Sequence, residues 1–178
     1  MTLLITYLLI ALLFSFICSI LEAVILSITP SYIPVAIQEK RSYATRLHRY
    51  KENIDKPLAA ILTLNTFAHT IGAAGVGAQA QYLWGNEYLS ITSAVLTIII
   101  LIFSEIIPKT IGANYWKQLV PASLVFIRFF LFVLYPFVFL SQLVTKFLNK
   151  ENVSVLSRKE FSAMAEAGAR AGVIRSGE

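Results

Sequence analysis

Four stretches of this chain carry no charged residue: Met1–Leu21, Pro57–Asn86, Tyr88–Ser104 and Phe129–Thr145. A helix that crosses a hydrocarbon core of about 30 Å needs roughly 20 mainly apolar residues. Runs of this kind constrain the fold more than anything else in the sequence, and they read as membrane helices. The composition agrees: 57% of the 178 residues are hydrophobic and 14% charged, with a mean hydropathy of +0.69. A soluble domain usually carries about a quarter charged residues. A soluble globule, a disordered chain and a secreted disulfide scaffold are therefore excluded. The single cysteine, Cys18, has no internal partner for a bridge. The length suits one compact membrane domain.

The net charge is +5 and the pI about 9.4. That charge lies between the apolar runs, with six Lys/Arg in Lys40–Lys56. Cytoplasmic loops retain an excess of Lys and Arg, so the basic stretch reads as a topology signal rather than a nucleic-acid surface. The N-terminus lacks a basic leading segment and its apolar run is too long for a secretory signal.

The expected architecture is an all-α membrane protein with three transmembrane helices, at about 3–28, 57–83 and 89–107, plus juxtamembrane belt helices on the cytoplasmic side. Pro30 and Pro34 close the first span, and residues 31–56 read as one or two amphipathic helices at the cytoplasmic interface. Pro57 suits a first helical turn. Trp84–Tyr88 is the outer turn, with aromatic residues at the boundary. The third span is expected to end at Pro108. Residues 119–147 are long enough to cross. However, Arg128 lies inside, Pro121 and Pro136 divide the stretch, and both flanks are basic. The expectation is a bent, half-inserted helix or re-entrant pair, with a true fourth span as the alternative. Three spans put the N-terminus outside and the C-terminus in the cytoplasm.

The membrane domain is expected over 1–150. From 151 to 178 the chain becomes soluble in character, as the start of a cytosolic helical segment. Ser157-Arg158-Lys159-Glu160 there has the form of a capping box, followed by Phe161, Met164, Ala165 and Gly168 at helical spacing.

Polar residues recur within the spans at helical spacing: Ser15, Ser19 and Glu22; Asn65, His69 and Gly72; Ser90, Ser93, Thr97 and Ser104. Each set shares one side of its helix, and the three stripes are expected to turn toward one another. Glu22 lies about 9 Å from the cytoplasmic end of its helix, and Asn65 about 12 Å from Pro57, at the helical rise. Ser104 and Glu105 come near the cytoplasmic end of the third span. An intramembrane carboxylate is costly unless neutralised or paired. Glu22 is therefore protonated, reached by Lys109, or facing a cation. The donors Ser19, Glu22, Asn65, Ser104, Glu105 and carbonyls near Pro108 are hard oxygens, which favour Mg²⁺, Ca²⁺, Mn²⁺ or Na⁺. The bland alternative is interhelical hydrogen bonding, and for the serines taken alone and for His69 it is the stronger reading. Small residues from Ala68 to Ala78 permit close helix approach, within the monomer or between copies. No phosphate-binding loop or His-Glu-x-x-His pair is present, and no enzymatic activity is expected.

Ser104-Glu105-Ile106-Ile107-Pro108-Lys109-Thr110-Ile111-Gly112 resembles the Gly-Glu-Ile-Ile-Pro-Lys-Thr-Leu-Gly stretch of the CNNM/CorC family of magnesium transporters. Ser19 through Glu22 to Ser27 resembles the family's Ser-Gly-x-Glu-Thr-Ala-x-x-Ser segment. Leu64-Asn65-Thr66 resembles its Gly-Asn-Asn/Thr segment. Ser104 stands where the family has Gly, and His69 where it often has Asn. The resemblance covers nearly the whole chain. It implies three spans, a juxtamembrane belt and a homodimer in the cell (inner) membrane, with CBS domains following in the full-length protein. It further implies Mg²⁺ export, coupled to Na⁺, and a Mg²⁺ site between the helices. The positions carried over to that site are Ser19, Glu22, Asn65, Ser104, Glu105 and Gly112, with His69 beside them. The competing reading is a non-transporting membrane anchor whose bound ion regulates a cytosolic partner. An intramembrane hydrolase has almost no support.

Overall fold

A computed structural model of the chain describes residues 1–148. Eight α-helices follow in order: α1 (Thr2–Ser27), α2 (Tyr32–Gln38), α3 (Ala44–Glu52), α4 (Asp55–Trp84), α5 (Leu89–Ile99), α6 (Ile107–Asn114), α7 (Trp116–Val133) and α8 (Tyr135–Leu148). A π-helical segment, Ile100–Ile106, joins α5 to α6. No strand occurs among the described residues. The chain divides into two units, Met1–Leu143 and Val144–Glu178. Of the second, only Val144–Leu148, the end of α8, is described. The expected cytosolic segment 151–178, with its capping pattern at Ser157, lies outside the described residues.

Four helical stretches are long and apolar enough to cross a membrane: Thr2–Ser27, Asp55–Trp84, Asn86–Asn114 and Trp116–Val133. The first three match the expected spans, with one correction. The third helix does not end at Pro108 but runs on to Asn114. Proline cannot donate to the carbonyl four residues back, and its ring crowds that carbonyl. The wider π turns before Pro108 accommodate both effects. Ile107 N–H accordingly bonds to the Ile102 carbonyl, five residues back.

The fourth stretch overlaps the region 119–147 expected to stay on one side. It breaks at Leu134, and Pro136 occupies the first turn of α8, where a proline costs no helical bond. Pro121 does not divide the stretch as expected. It lies inside α7, just past the first turn, and leaves the helix intact at the cost of one backbone bond.

The helix α1 is central, packing on α4, the π segment, α6 and α7. It runs antiparallel to α4, since Tyr7 meets Gly75, Ala11 meets Gly72 and Ser15 meets His69. The small-residue face of α4 is thereby used within the monomer. A side chain at Gly75 would lie 2.6 Å from the Tyr7 ring, and one at Gly72 would collide with Ala11.

Two apolar clusters complete the core. One joins Cys18, Leu21 and Ile25 of α1 to Ala60 and Ile61 of α4 and to Ile127, Phe130, Leu134 and Val138. The other joins Val24 and Ile28 to Ile33, Leu47, Val120 and Leu124. On α7 the buried residues Val120, Ser123, Leu124, Ile127 and Phe130 share one face. Phe126, Phe129 and Phe132 point outward, as do Phe137 and Phe139 of α8. An apolar outer surface of this extent suits lipid, not water.

Candidate cation site within the bundle

The site forms where α1, α4 and the π segment meet. Ser15, Ser19 and Glu22 repeat at helical spacing on α1, so all three turn to one side. Ser15 and Ser19 are fully buried. Asn65 and His69, four apart on α4, face them. Ser15 Oγ and His69 Nε2 lie 2.6 Å apart, an interhelical hydrogen bond of the kind expected for His69.

Glu105 receives neighbours from two helices. Asn65 Nδ2 donates to its Oε1 at 3.3 Å, and His69 Nε2 lies 3.9 Å from the same oxygen. Its other oxygen, Oε2, is 2.8 Å from Lys109 Nζ, one helical turn on. That ammonium also lies 3.4 Å from Glu22 Oε2. Lys109 reaches Glu22, as one of the readings of the sequence expected. The two carboxylates, from helices far apart in sequence, are thus held together through one cation.

The remaining expected donors are distributed around this cluster. Ser104 is fully buried, its hydroxyl 3.5 Å from the Leu12 carbonyl of α1. Gly112 packs directly on α1, where an added Cβ would fall 2.8 Å from both the Ile20 carbonyl oxygen and the Ala23 Cβ. Two buried oxygens, Ser19 Oγ and Asn65 Oδ1, have no hydrogen-bond partner among the described residues. Orphaned buried acceptors are rare in folded proteins and cost about 1–3 kcal/mol each. Both belong to the donor set expected for a cation. Among the described residues, no three His, Cys, Asp or Glu side chains form a metal cluster. A cation here would rest on two carboxylates and neutral oxygens, a hard set.

The expected stripe of the third helix is only partly realised. Ser104 faces the bundle, but Ser90, Ser93 and Thr97 are exposed. A π segment winds fewer degrees per residue than an α-helix, so positions in it leave the register of the preceding turns. Periodicity assuming 3.6 residues per turn placed all four on one face. The acceptor role of the Leu12 carbonyl carried no sequence signal. Lys109 was visible as a neighbour of either acid, but its bridging of both emerges only from the packing of α6 on α1.

The family model described as the cyclin M transmembrane N-terminal domain matches residues 4–178. Among curated proteins, a UPF0053 protein of Synechocystis is 29% identical over 95% of this chain and 49% of its own length. A UPF0053 protein of Haemophilus influenzae is 27% identical over 83% of this chain and 37% of its own. The UPF0053 inner membrane protein YfjD of Escherichia coli is 27% identical over 65% and 27% respectively. The chain spans about half or less of the length of these relatives. With several membrane-length helices and a match over almost its whole length, this multi-pass membrane protein belongs to the CNNM family, as a cyclin M transmembrane N-terminal domain.

Proposed function

We propose that this domain carries Mg²⁺ or a similar divalent cation across the membrane, holding it between α1, α4 and the π segment. The observation that carries the reading is the pairing of Glu22 and Glu105 through Lys109, on the helices that also carry two buried oxygens without partners among the described residues, Ser19 Oγ and Asn65 Oδ1. Ionisable residues inside a membrane bundle mark ion pathways by default. Mg²⁺ takes oxygen ligands and keeps several waters, which a site with two carboxylates and neutral oxygens accommodates. Ser104 and Gly112 act by bringing the π segment and α6 close to α1, and His69 by orienting the Glu105 side of the site. Export driven by Na⁺ is the direction that the family resemblance favours. It is tested by outward Mg²⁺ flux from proteoliposomes with and without an opposing Na⁺ gradient.

The membrane arrangement belongs to the same proposal. Three helices cross, at Thr2–Ser27, Asp55–Trp84 and Asn86–Asn114, with the N-terminus outside. The α7–α8 pair forms a half-inserted hairpin on the cytoplasmic side. Three contacts support the hairpin. Trp116 at the start of α7 stacks edge-on against Tyr32 of α2, ring centroids 4.9 Å apart. Phe137 of α8 meets Phe67, part-way along α4, at 5.1 Å. Gln142, midway along α8, lines a cavity with Lys56 at the basic end of α4, as do Leu131 and Tyr135 beside the α7–α8 break. In this reading the pair enters and returns on one side. Arg128 is exposed on α7, a position costing about 2.5–3.5 kcal/mol at the centre of a bilayer and far less near its edge. A homodimer in the inner membrane would cover the exposed face of the third helix. CBS domains following the membrane part would account for the greater length of the relatives.

The decisive experiment is Mg²⁺ binding and flux in Glu22→Gln and Asn65→Ala. Glu22→Gln keeps shape and removes a charge, so both binding and flux fall strongly while the protein remains folded. Asn65→Ala removes an oxygen and the bond to Glu105, and weakens binding less. Wild-type Mg²⁺ affinity in both variants would reduce the polar stripes to helix packing. The second reading, a non-transporting anchor that senses an ion, draws on Lys109, which already neutralises part of the carboxylate pair. Binding without flux in liposomes would select it.

A further inference from the structure

Lys109 occupies a place that needs explaining beyond the ligand set. Its ammonium bridges the two intramembrane acids, 2.8 Å from Glu105 and 3.4 Å from Glu22. Its side chain is 43% exposed, whereas those of Glu105 and Glu22 are 23% and 19% exposed. The acids are therefore set deeper, and the lysine reaches them from a more open side. Its four-carbon stem is flexible and its ammonium strongly hydrated, so the group has a route back to water.

Charge decides what can share this site. Two ionised carboxylates with one ammonium leave a net charge of minus one. A monovalent cation brings that to neutrality with Lys109 in place. A divalent cation brings the acids alone to neutrality, and overshoots if the ammonium stays. Like charges a few ångströms apart repel strongly where water is scarce. A divalent ion and the Lys109 ammonium therefore exclude each other between Glu22 and Glu105. Resting on the cation site argued above, we propose that Lys109 is a tethered, displaceable cation: its ammonium bridges the two acids until a divalent ion enters and sends it outward, while a monovalent ion leaves it in place. Lys109 is thereby a specificity-determining residue that no bare carboxylate pair could replace. It stabilises the acids without metal and makes entry of a divalent ion a visible side-chain movement.

The test follows amine reactivity in the full wild-type chain in nanodiscs, at constant ionic strength. Acetylation of Lys109 is timed by mass spectrometry, with exposed Lys40 as internal reference. Saturating Mg²⁺ should raise the Lys109 rate several-fold relative to Lys40, and Na⁺ should not. In parallel, Lys109→Met should bind Mg²⁺ roughly tenfold more tightly, a change of about 1.4 kcal/mol, and should be less stable than wild type without metal. Mg²⁺ binding that leaves Lys109 reactivity unchanged would overturn the displacement while leaving the site intact. Weaker Mg²⁺ binding in Lys109→Met would do the same, since the lysine would then assist the metal. If Mg²⁺ does not bind the wild-type chain, or binds Glu22→Gln equally well, the site itself is lost and the proposal with it. The reactivity measurement needs no variant, so a folding defect in Lys109→Met leaves the test in force.

Discussion

Ser15 and Thr66 show how differently two hydroxyls in a membrane bundle can matter. Ser15 is fully buried and holds His69 across the α1–α4 interface at 2.6 Å. Thr66 is exposed and bonds back to the Leu62 carbonyl of its own helix. Ser15→Ala strips a partner from a half-buried imidazole, and the cost of such an unmade bond is about 1–3 kcal/mol. Thr66→Ala should fall within roughly 0.5 kcal/mol of wild type. Thermal unfolding of the two variants in detergent checks the contrast, and equal losses would mean that the Ser15–His69 bond adds nothing. Lys51 offers a second case. It donates to the Ile25 carbonyl at 3.1 Å, near the C-terminal end of α1, and burial lowers its pKa below the ordinary lysine value. A cation at a helix C-terminus is worth about 0.3–1 kcal/mol. Lys51→Met should lower stability by no more than that, as judged by the same unfolding measurement.

The elements add constraints that no single side chain carries. Close contact of α1 and α4 depends on glycines that meet Ala11 and Tyr7. Gly72→Leu and Gly75→Leu should destabilise by about 1–3 kcal/mol or more, the usual range for overpacking. At Gly77 the nearest side-chain atom to an added Cβ is 3.9 Å away, on Leu89. Gly77→Leu should therefore be tolerated, and size-exclusion profiles after heating will separate the three variants. The π segment makes a sharper prediction. Pro108 prevents an ordinary α-helical bond to Ser104, and Ser104 and Glu105 sit in the π turns that precede it. Pro108→Ala restores the N–H and permits an α-helix through this stretch. Glu105 should then rotate away from Lys109 and Asn65. Mg²⁺ binding should weaken by an order of magnitude or so, while unfolding temperature holds or rises, because a proline constraint within the helix has been relieved. Unchanged binding would mean that the π geometry has other causes.

At the scale of the whole molecule, the lie of α7 and α8 decides the topology. A half-inserted hairpin keeps everything after it in the cytoplasm, whereas a fourth crossing sends it outside. A cysteine at Glu160 should therefore react with an impermeant maleimide only from the cytoplasmic side. One at Gly85, in the turn between α4 and α5, should react only from outside. The native Cys18 is fully buried and contributes little background. Labelling of the Glu160 position from outside would establish four spans and remove the hairpin. Because α7 packs on α1, α2, α3 and α4 through the two apolar clusters, such a result would also require those contacts to run along a full crossing.

How much of this was legible beforehand follows from the physics of each feature. The apolar helices at Thr2–Ser27, Asp55–Trp84 and Asn86–Asn114, the short turn at Gly85 and the basic stretch at 31–56 follow from local hydropathy and charge. Those are properties a few neighbouring residues possess on their own. The inward turn of Ser19, Glu22 and Asn65 also follows from the 3.6-residue period. Exposure of Ser90, Ser93 and Thr97 does not, because the π segment breaks that period and a single proline does not announce a π turn. The break at Leu134 beside Pro136 agrees with the expected division there, but Pro121 could not be seen to leave α7 whole, since neighbouring helices decide whether one lost bond ends a helix. Above all, the sequence marks Glu22, Glu105 and Lys109 as expensive to bury. Only the packing of α6 against α1, at Gly112 on Ile20 and Ala23, brings the three charges together. Electrostatic coupling depends on distance in space, and residues more than 80 positions apart acquire a distance only when the chain has folded.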